Sequence, residues 1–276
     1  MSQHAALPPE VQRATSTFLA EIDRRAPGLV EGLYLIGSLG FGEFYADQSD
    51  IDFVAVLTTR PDATALAALV DAHGVVRGRY PRPYFDGFHV VRDDLARSPV
   101  HCPDVPCTLE WAFEEAGRVN LNPVAWHELA RHAVTVRGPV LTEAEVWTDD
   151  AALRAFSHAN LTAYWSRVAE SLVSDPEQAA TPEAAVWCVL GVSRLHHLLA
   201  TGGLTSKSGA GRYALTAFEP RWHPIITEAL RLREAADTPS GYAGAAERRG
   251  SDTTEFTVMA IEAGLALGGR SVTVSQ

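Results

Sequence analysis

The pattern of apolar and polar positions changes character along the chain. In the first part, apolar residues recur at helical spacing before Pro27, short apolar runs follow at 32–36 and 51–57, and an Ala- and Leu-rich helix is predicted after Pro61. A further extended segment, RPYFDGFHVV, alternates its side chains between two faces and carries Asp86 on one of them. Strands and helices are therefore interleaved in this part of the chain.

From about Thr108 onward, apolar residues recur at intervals of three and four. This spacing is seen in TLEWAFEEAGRV, PVAWHELARHAV, LRAFSHANLTAYWSRVAESLV, PEAAVWCVLGVSRLHHLLATG, PIITEALRLREAA and TTEFTVMAIEAGLAL. It predicts helices, with TGGLTSKSGAGR as a Gly- and Ser-rich loop between two of them. The predicted fold class is α+β: residues 1–145 form a mixed sheet with helices, and residues 146–276 form an α-helical bundle domain.

Composition and charge limit the possible partners. No apolar stretch approaches the eighteen or so residues that a membrane crossing needs, and the first residues lack the pattern of a secretory signal. The three cysteines are too few for a disulfide framework and lack the ligand spacing of a zinc site, which predicts free thiols and a cytoplasmic location. The net charge of −11 disfavours nucleic acid and suits a cationic small molecule.

One segment, YLIGSLGFGEFYADQSDIDFVAVL, carries the strongest chemical signal. Asp50 and Asp52 are two residues apart at the start of a predicted strand, so their carboxylates lie on one face and can jointly hold Mg²⁺. Gly37 allows the backbone to approach a phosphate closely, and Ser38 offers a hydroxyl and an amide to phosphate oxygens. Together these residues predict nucleotidyl transfer, although an isolated Asp-x-Asp is also typical of a solvated strand edge.

The same segment resembles the signature of the DNA polymerase β-like nucleotidyltransferase superfamily. The resemblance implies ATP and Mg²⁺ as cofactors, places Ser49 with the nucleotide ligands and calls for a third carboxylate, for which Asp86 is the candidate. RPYFDGFHVVRDDL is similar to a segment of the streptomycin/spectinomycin-type aminoglycoside adenylyltransferases, in which a glutamate commonly serves as catalytic base at that place. Because aspartate is one methylene shorter, Asp86 is expected to lie farther from an acceptor hydroxyl and to act chiefly as a metal ligand, and the role of general base stays open.

The helical half resembles the C-terminal domain of the same enzymes. VLGVSRLHHLLATGGLTSKSGAGRYAL carries Arg194 on a helix and Lys207 in the following loop, and the resemblance implies that both reach the phosphates of ATP. Fixed positive charge there would stabilise the leaving pyrophosphate.

The resemblance also implies an acceptor pocket, but with fewer acidic residues than the family has. Trp111 falls where the family places a tryptophan between the domains. This suits a residue that lines the pocket and, nearly as well, a packed core residue. Ala180 and Ala184 stand where carboxylates are expected, and Glu177 and Glu183 are the acids that remain nearby. An acceptor with few positive charges is therefore expected.

These observations predict an adenylyltransferase that uses ATP and Mg²⁺ to modify a hydroxyl of a small cationic acceptor. Spectinomycin or streptomycin is the first choice, and the enzyme is expected to act as a monomer without nucleic acid or membrane. One alternative keeps the chemistry and changes the target to another small molecule or a protein hydroxyl. The other is a nucleotide-binding regulator without turnover.

Overall fold

A mixed six-stranded sheet organises the first half of the chain in the computed structural model, which describes residues 7–268. The chain divides into two units, Met1–Thr148 and Asp149–Gln276. The strands of the first unit are β1 (Val30–Leu35), β2 (Ile51–Leu57), β3 (Phe85–Val91), β4 (Val105–Leu109), β5 (Ala112–Gly117) and β6 (Val134–Arg137). Its helices are α1 (Pro9–Arg25), α2 (Ala63–Arg79), α3 (Arg92–Leu95) and α4 (Pro123–His132), with a 3₁₀ turn at Pro99–His101.

The strand order β5-β4-β3-β2-β1-β6 contains one parallel pair. Helix α2 connects β2 to β3 and returns the chain to the same edge, so these two strands run in parallel, whereas the other neighbours are antiparallel. In the parallel pair, Asp52 lies opposite Asp86. Both strands therefore begin at the same edge of the sheet.

Buried side chains cover both faces of the sheet. Phe18 of α1 and Leu69 of α2 belong to the core cluster on one face, where Phe53 and Phe85 stack with ring centroids 4.4 Å apart. Trp126 of α4 is fully buried on the other face. The near-continuous apolar run of β2, in which Asp52 is the one polar residue, is explained by this burial on both faces.

The prediction of a helix at TLEWAFEEAGRV is wrong. Strands β4 and β5 form a hairpin here, with Leu109 paired to Ala112. The two residues between them, Glu110 and Trp111, have φ angles of 50° and 66°. Positive φ at both central residues is typical of a two-residue hairpin turn, but glycine or asparagine is the usual sequence signal for it. The apolar spacing alone therefore favoured the wrong element.

The second unit consists of helices, and the predicted α+β fold class is confirmed. These are α5 (Asp150–Asn160), α6 (Ser166–Ser174), α7 (Pro176–Ala179), α8 (Pro182–Ala184), α9 (Leu190–Thr201), α10 (Lys207–Ala217), α11 (His223–Arg233) and α12 (Ala246–Gly268). Within the described residues, Pro182–Thr201 has the length and apolar composition of a membrane span. More than half of it is buried in the core of this unit, which accounts for its composition.

Two details of this unit differ from a regular helical pattern. Leu161–Trp165 and Ala185–Val189 form π-helical turns that lead into α6 and α9. Lys207, predicted in a loop, is instead the first residue of α10, because Ser206 caps this helix by accepting a hydrogen bond from the Gly209 N–H.

A buried histidine pair in the first unit predicts acid sensitivity. The Nε2 atoms of His73 and His89 are 3.3 Å apart, and burial lowers the pKa of both rings, that of His89 to about 4. The unfolded chain would protonate these rings near pH 6.5, so the folded protein loses stability as the pH falls from there toward about 4.

His73→Phe should lose less stability than the wild type between about pH 6.5 and 4, as measured by urea unfolding. His101→Gln, at an exposed histidine, should behave like the wild type; equal acid sensitivity in both variants would contradict the assignment.

Candidate active site

Three aspartates are placed where the parallel strands β2 and β3 begin. Paired residues of neighbouring strands face the same side of a sheet, so Asp52 and Asp86 share a face. Asp50 immediately precedes β2, two residues before Asp52, and its charge contributes to the raised pKa of Asp86. The carboxylate pair predicted from the sequence thus lies beside the third predicted carboxylate.

The Gly37-Ser38 turn follows β1 and lies against the Asp52 side chain. Gly37 has a φ of 60°, and a Cβ atom at this position would collide with the Asp52 carboxylate. Glycine is therefore required by the approach of Asp52 as well as by the backbone angle. The Gly37 N–H donates to Glu128 Oε2 at 3.1 Å, and the Ser38 carbonyl accepts from the Glu43 N–H at 2.9 Å.

Asp86 is held by the unexpected hairpin. Its carboxylate is 3% exposed and accepts hydrogen bonds from the Glu110 N–H, at 2.9 Å to Oδ1 and 3.0 Å to Oδ2. Burial, with a contribution from the charge of Asp50, raises the pKa of Asp86 to about 6, against the lowering effect of the Glu110 hydrogen bond. A carboxylate with a pKa near neutrality is suited to accepting a proton.

Arg82 is a site residue that the sequence analysis did not single out. Its guanidinium lies 3.6 Å from the ring centroid of Tyr84 and 4.0 Å from Asp50 Oδ1. Together with Pro83 it borders a cavity of about 330 Å³, whose other lining residues are Ala46, Asp47, Gln48, Ser49 and Asp50. No spacing rule marks an exposed arginine before a strand, so only the structure reveals this neighbour of Asp50.

Ser49 and Trp111 lie at the border of the same site. Ser49 is buried, and its hydroxyl accepts a hydrogen bond from the Tyr45 N–H at 3.1 Å. Trp111 occupies the β4–β5 turn next to Glu110, donates from its indole N–H to the Pro81 carbonyl at 3.0 Å and is edge-on to Tyr84. Both predicted residues are thus within the first unit, near the start of β3.

The other predicted residues belong to the second unit. Arg194 Nε donates to the Thr205 carbonyl at 3.2 Å, so Arg194 and Lys207 lie on neighbouring segments. Lys207 is also at the N-terminus of α10, where the helix dipole favours anions. The predicted pair of cations is therefore close together at one end of this helix.

The two predicted acids of the second unit are exposed at different helices. Glu177 lies in α7 and Glu183 in α8. Glu177 lines a cavity of about 800 Å³, with Ala180 and with residues of α6 and α12 that include Glu247 and Glu255. Glu183 is not among the lining residues of this cavity.

Carboxylate oxygens are donors that suit Mg²⁺, but the three aspartates are not arranged as a ready three-ligand metal site. Among residues 7–268, no set of three His, Cys, Asp or Glu side chains is arranged to hold a metal ion. Magnesium is commonly held by one or two protein carboxylates together with substrate phosphates, so a closed cage is not required. Burial raises the pKa of Asp86, and the charge of Asp50 adds to this effect, so a bound cation would stabilise the ionised carboxylate.

Glu128 is expected to hold the Gly37 turn in place. Glu128→Ala should reduce the free energy of unfolding by about 1–3 kcal/mol, because the Gly37 N–H loses the buried carboxylate that accepts its hydrogen bond. Glu128→Gln keeps an acceptor oxygen of the same size and should lose less. Urea unfolding of both variants checks this expectation, and an equal loss in the two would contradict it.

The fold formed by these elements is also found in a solved adenyltransferase. A solved structure of the spectinomycin adenyltransferase AAD(9) from Enterococcus faecialis with ATP and spectinomycin superposes with a TM-score of 0.63 and 13% sequence identity. The match covers 90% of this chain and 99% of that chain. No family model and no curated protein matches the sequence. The comparison confirms the fold that the sequence resemblance implies.

Proposed function

We propose that this protein transfers the adenylyl group of ATP to a hydroxyl of a small cationic acceptor of the spectinomycin and streptomycin class. The observation that carries the proposal is the pairing of Asp52 with Asp86 in parallel strands, beside Asp50 and the Gly37 turn. Its support from outside the chain is a shared fold with an enzyme that was crystallised with ATP and spectinomycin.

Asp50, Asp52 and Asp86 are the residues that would hold Mg²⁺. Bound there, the ion would neutralise charge on the phosphates of ATP. Ser38 and Ser49 are assigned to phosphate oxygens, and Arg194 and Lys207 to the pyrophosphate that leaves. The location of Lys207 at the N-terminus of α10 supports the latter assignment, since the helix dipole and the ammonium group favour the same anion.

Asp86 is assigned as the proton acceptor. The acceptor hydroxyl attacks the α-phosphorus of ATP. The bond between this phosphorus and the oxygen that bridges the α- and β-phosphates breaks, and pyrophosphate leaves with the bonding electrons. The hydroxyl proton moves to Asp86, whose buried carboxylate has a pKa of about 6. The backbone of Glu110 holds this carboxylate in place during the transfer.

Trp111 and Glu177 are the proposed acceptor contacts, together with Glu183. Trp111 is fixed by its indole hydrogen bond to the Pro81 carbonyl, next to the turn that holds Asp86. Glu177 and Glu183 are exposed and carry negative charge, which favours an ammonium group. With Ala180 and Ala184 in place of further acids, spectinomycin is expected to bind better than streptomycin.

Release of pyrophosphate from ATP in the presence of a panel of acceptors tests the proposed function. The panel should contain spectinomycin, streptomycin, other amino alcohols and unrelated proteins, and Asp52→Asn protein serves as the blank. Release that depends on spectinomycin or streptomycin supports the proposal. Release only with other compounds would move the enzyme to a different acceptor, and no release despite ATP binding would indicate a regulator without turnover.

A further inference from the structure

Three aromatic side chains of the second unit form a partly exposed surface, which we call the Trp187 surface. It consists of Tyr164, Trp165 and Trp187. The rings of Trp165 and Trp187 stack with centroids 6.0 Å apart, and Tyr164 is edge-on to Trp165 at 5.3 Å. Trp187 is 46% exposed and Tyr164 is 40% exposed, whereas Trp165 is buried beneath them. Large aromatic rings exposed to this extent are typical of binding sites.

The three aromatic residues lie in π-helical turns, where the backbone departs from the regular α-helix. Tyr164 and Trp165 belong to one π-helical turn, and Trp187 belongs to the other. Such turns occur frequently at functional sites. Gly191, one turn after Trp187, lacks the Cβ atom that would collide with the ring of Trp165. The glycine thus lets Trp165 pack directly against the helix and support Trp187 from below.

An ammonium group already lies on this surface. Lys207 Nζ is 4.7 Å from the ring centroid of Trp187. Within this distance, an ammonium group is attracted by the negative face of the indole ring. The contact shows that an ammonium group can reach the face of the Trp187 ring.

We propose that the exposed ring of Trp187 binds an ammonium group of the acceptor, and that Lys207 occupies this subsite until ATP binds. This inference rests on the proposed function, in which Lys207 contacts the phosphates of ATP. A phosphate oxygen attracts an ammonium group more strongly than a neutral ring does, because the contact is charge-assisted. Binding of ATP would then draw Lys207 away and uncover the ring for the cationic acceptor.

Calorimetric titration with spectinomycin tests the subsite. The protein is first saturated with Mg²⁺ and the α,β-methylene analogue of ATP, which prevents turnover. Trp187→Leu should bind spectinomycin on the order of tenfold more weakly than the wild type, since the attraction to the ring is lost. Trp187→Phe should lose less. Neither variant should bind the ATP analogue more weakly than the wild type, because the contact that Lys207 gives up on ATP binding is weakened or removed.

A matched control is available in the same unit. Arg221 lies over the ring of Trp222 at 4.5 Å, so Arg221→Ala removes a similar contact at another place. This variant should bind spectinomycin like the wild type. Unchanged spectinomycin affinity in Trp187→Leu would overturn the proposal. A parallel loss of affinity for the ATP analogue would also overturn it, because the ring would then bind the adenine.

A second experiment does not depend on the identity of the acceptor. Protein labelled with 5-fluorotryptophan gives a ¹⁹F resonance for Trp187, which is assigned by its absence in Trp187→Phe. Tetramethylammonium should shift this resonance in the wild type only when the ATP analogue is present, and in Lys207→Met without nucleotide. A resonance that tetramethylammonium leaves unshifted in both proteins would overturn the subsite.

The two experiments separate the subsite from the proposed function. If spectinomycin fails to bind every variant while tetramethylammonium shifts the Trp187 resonance as expected, the acceptor is wrong and the ammonium subsite stands. If the ATP analogue fails to bind the wild type, the proposed function and the role of Lys207 are both overturned.

Discussion

Asp52→Asn is expected to reduce the rate of adenylyl transfer at least about a hundredfold. The substitution keeps the size of the side chain, so its packing against Gly37 is retained. It replaces a negative carboxylate oxygen by a neutral amide, which is a poor ligand for a hard divalent cation. Substitution of residues that only support metal ligands already costs about 10–100-fold, and a direct ligand should cost at least as much.

The rate should be measured as pyrophosphate release at saturating ATP and Mg²⁺. Asp93→Asn is the control for the change in net charge, because Asp93 is an exposed carboxylate of the same unit. It should retain wild-type turnover, and Asp52→Asn should retain the wild-type unfolding transition. Wild-type turnover in Asp52→Asn would remove this residue from the metal site.

Asp86→Asn should lower turnover to a similar degree and at the same time stabilise the protein. The side chain is buried, and its pKa of about 6 in the folded protein lies above the value near 3.9 of an unfolded chain. The folded state therefore binds more protons between about pH 4 and 6, and its stability falls as the pH rises through this window. Above about pH 6, the wild type carries the full cost of a buried charge, which the neutral amide avoids.

Thermal unfolding without metal or nucleotide measures this gain. At about pH 8, Asp86→Asn should be more stable than the wild type by roughly 1–2 kcal/mol, because one pKa unit corresponds to about 1.4 kcal/mol and solvent screens part of the effect. The difference should disappear near pH 4, where both side chains are neutral. Asp86→Asn protein that is less stable than the wild type at about pH 8 would mean that its hydrogen bonds to Glu110 outweigh the cost of the charge.

A residue that destabilises the folded protein in this way is typical of a functional site. Buried carboxylates are rare unless they are paired with a cationic side chain. Asp86 instead has backbone N–H groups and the carboxylate of Asp50 nearby. Adding Mg²⁺ and ATP to the wild type should therefore narrow its difference in stability from Asp86→Asn at about pH 8.

The carboxylate edge of the site could be predicted because it depends on local rules. Alternation along a strand places Asp50 and Asp52 on one face. A helix between two strands commonly joins parallel neighbours, although the direction of β2 and β3 was not among the predictions. These rules use only residues close together in sequence. The location of Asp86 beside this pair followed from the family resemblance, and the register of β2 and β3 supplies its structural reason.

The hairpin that holds Asp86 could not be predicted from spacing. Its turn depends on positive φ angles at Glu110 and Trp111, and neither residue type signals them. The turn holds Asp86 through the backbone N–H of Glu110. Because nearly every residue type has a backbone N–H, the sequence gives no sign of this contact. Glu128 likewise reaches Gly37 from a helix that is distant in sequence, so only the tertiary structure shows their contact.

In the second unit, the helices could be predicted from the apolar spacing. The start of α10 at Lys207 and the two π-helical turns could not. The Gly- and Ser-rich stretch favoured a loop at Lys207, whereas the cap formed by Ser206 starts a helix there. The π-helical turns beneath Trp165 and Trp187 leave no signal in apolar spacing, because one additional residue in a turn changes the period only locally.

The transfer of label from ATP tests the proposed function most directly. The protein is incubated with Mg²⁺, spectinomycin and ATP that carries ³²P in its α-phosphate, and the products are separated. If the proposed function is correct, the label moves to spectinomycin in the wild type and remains in ATP with Asp52→Asn protein. Label that stays in ATP with the wild type, or that appears only as free AMP, would contradict adenylyl transfer to this acceptor.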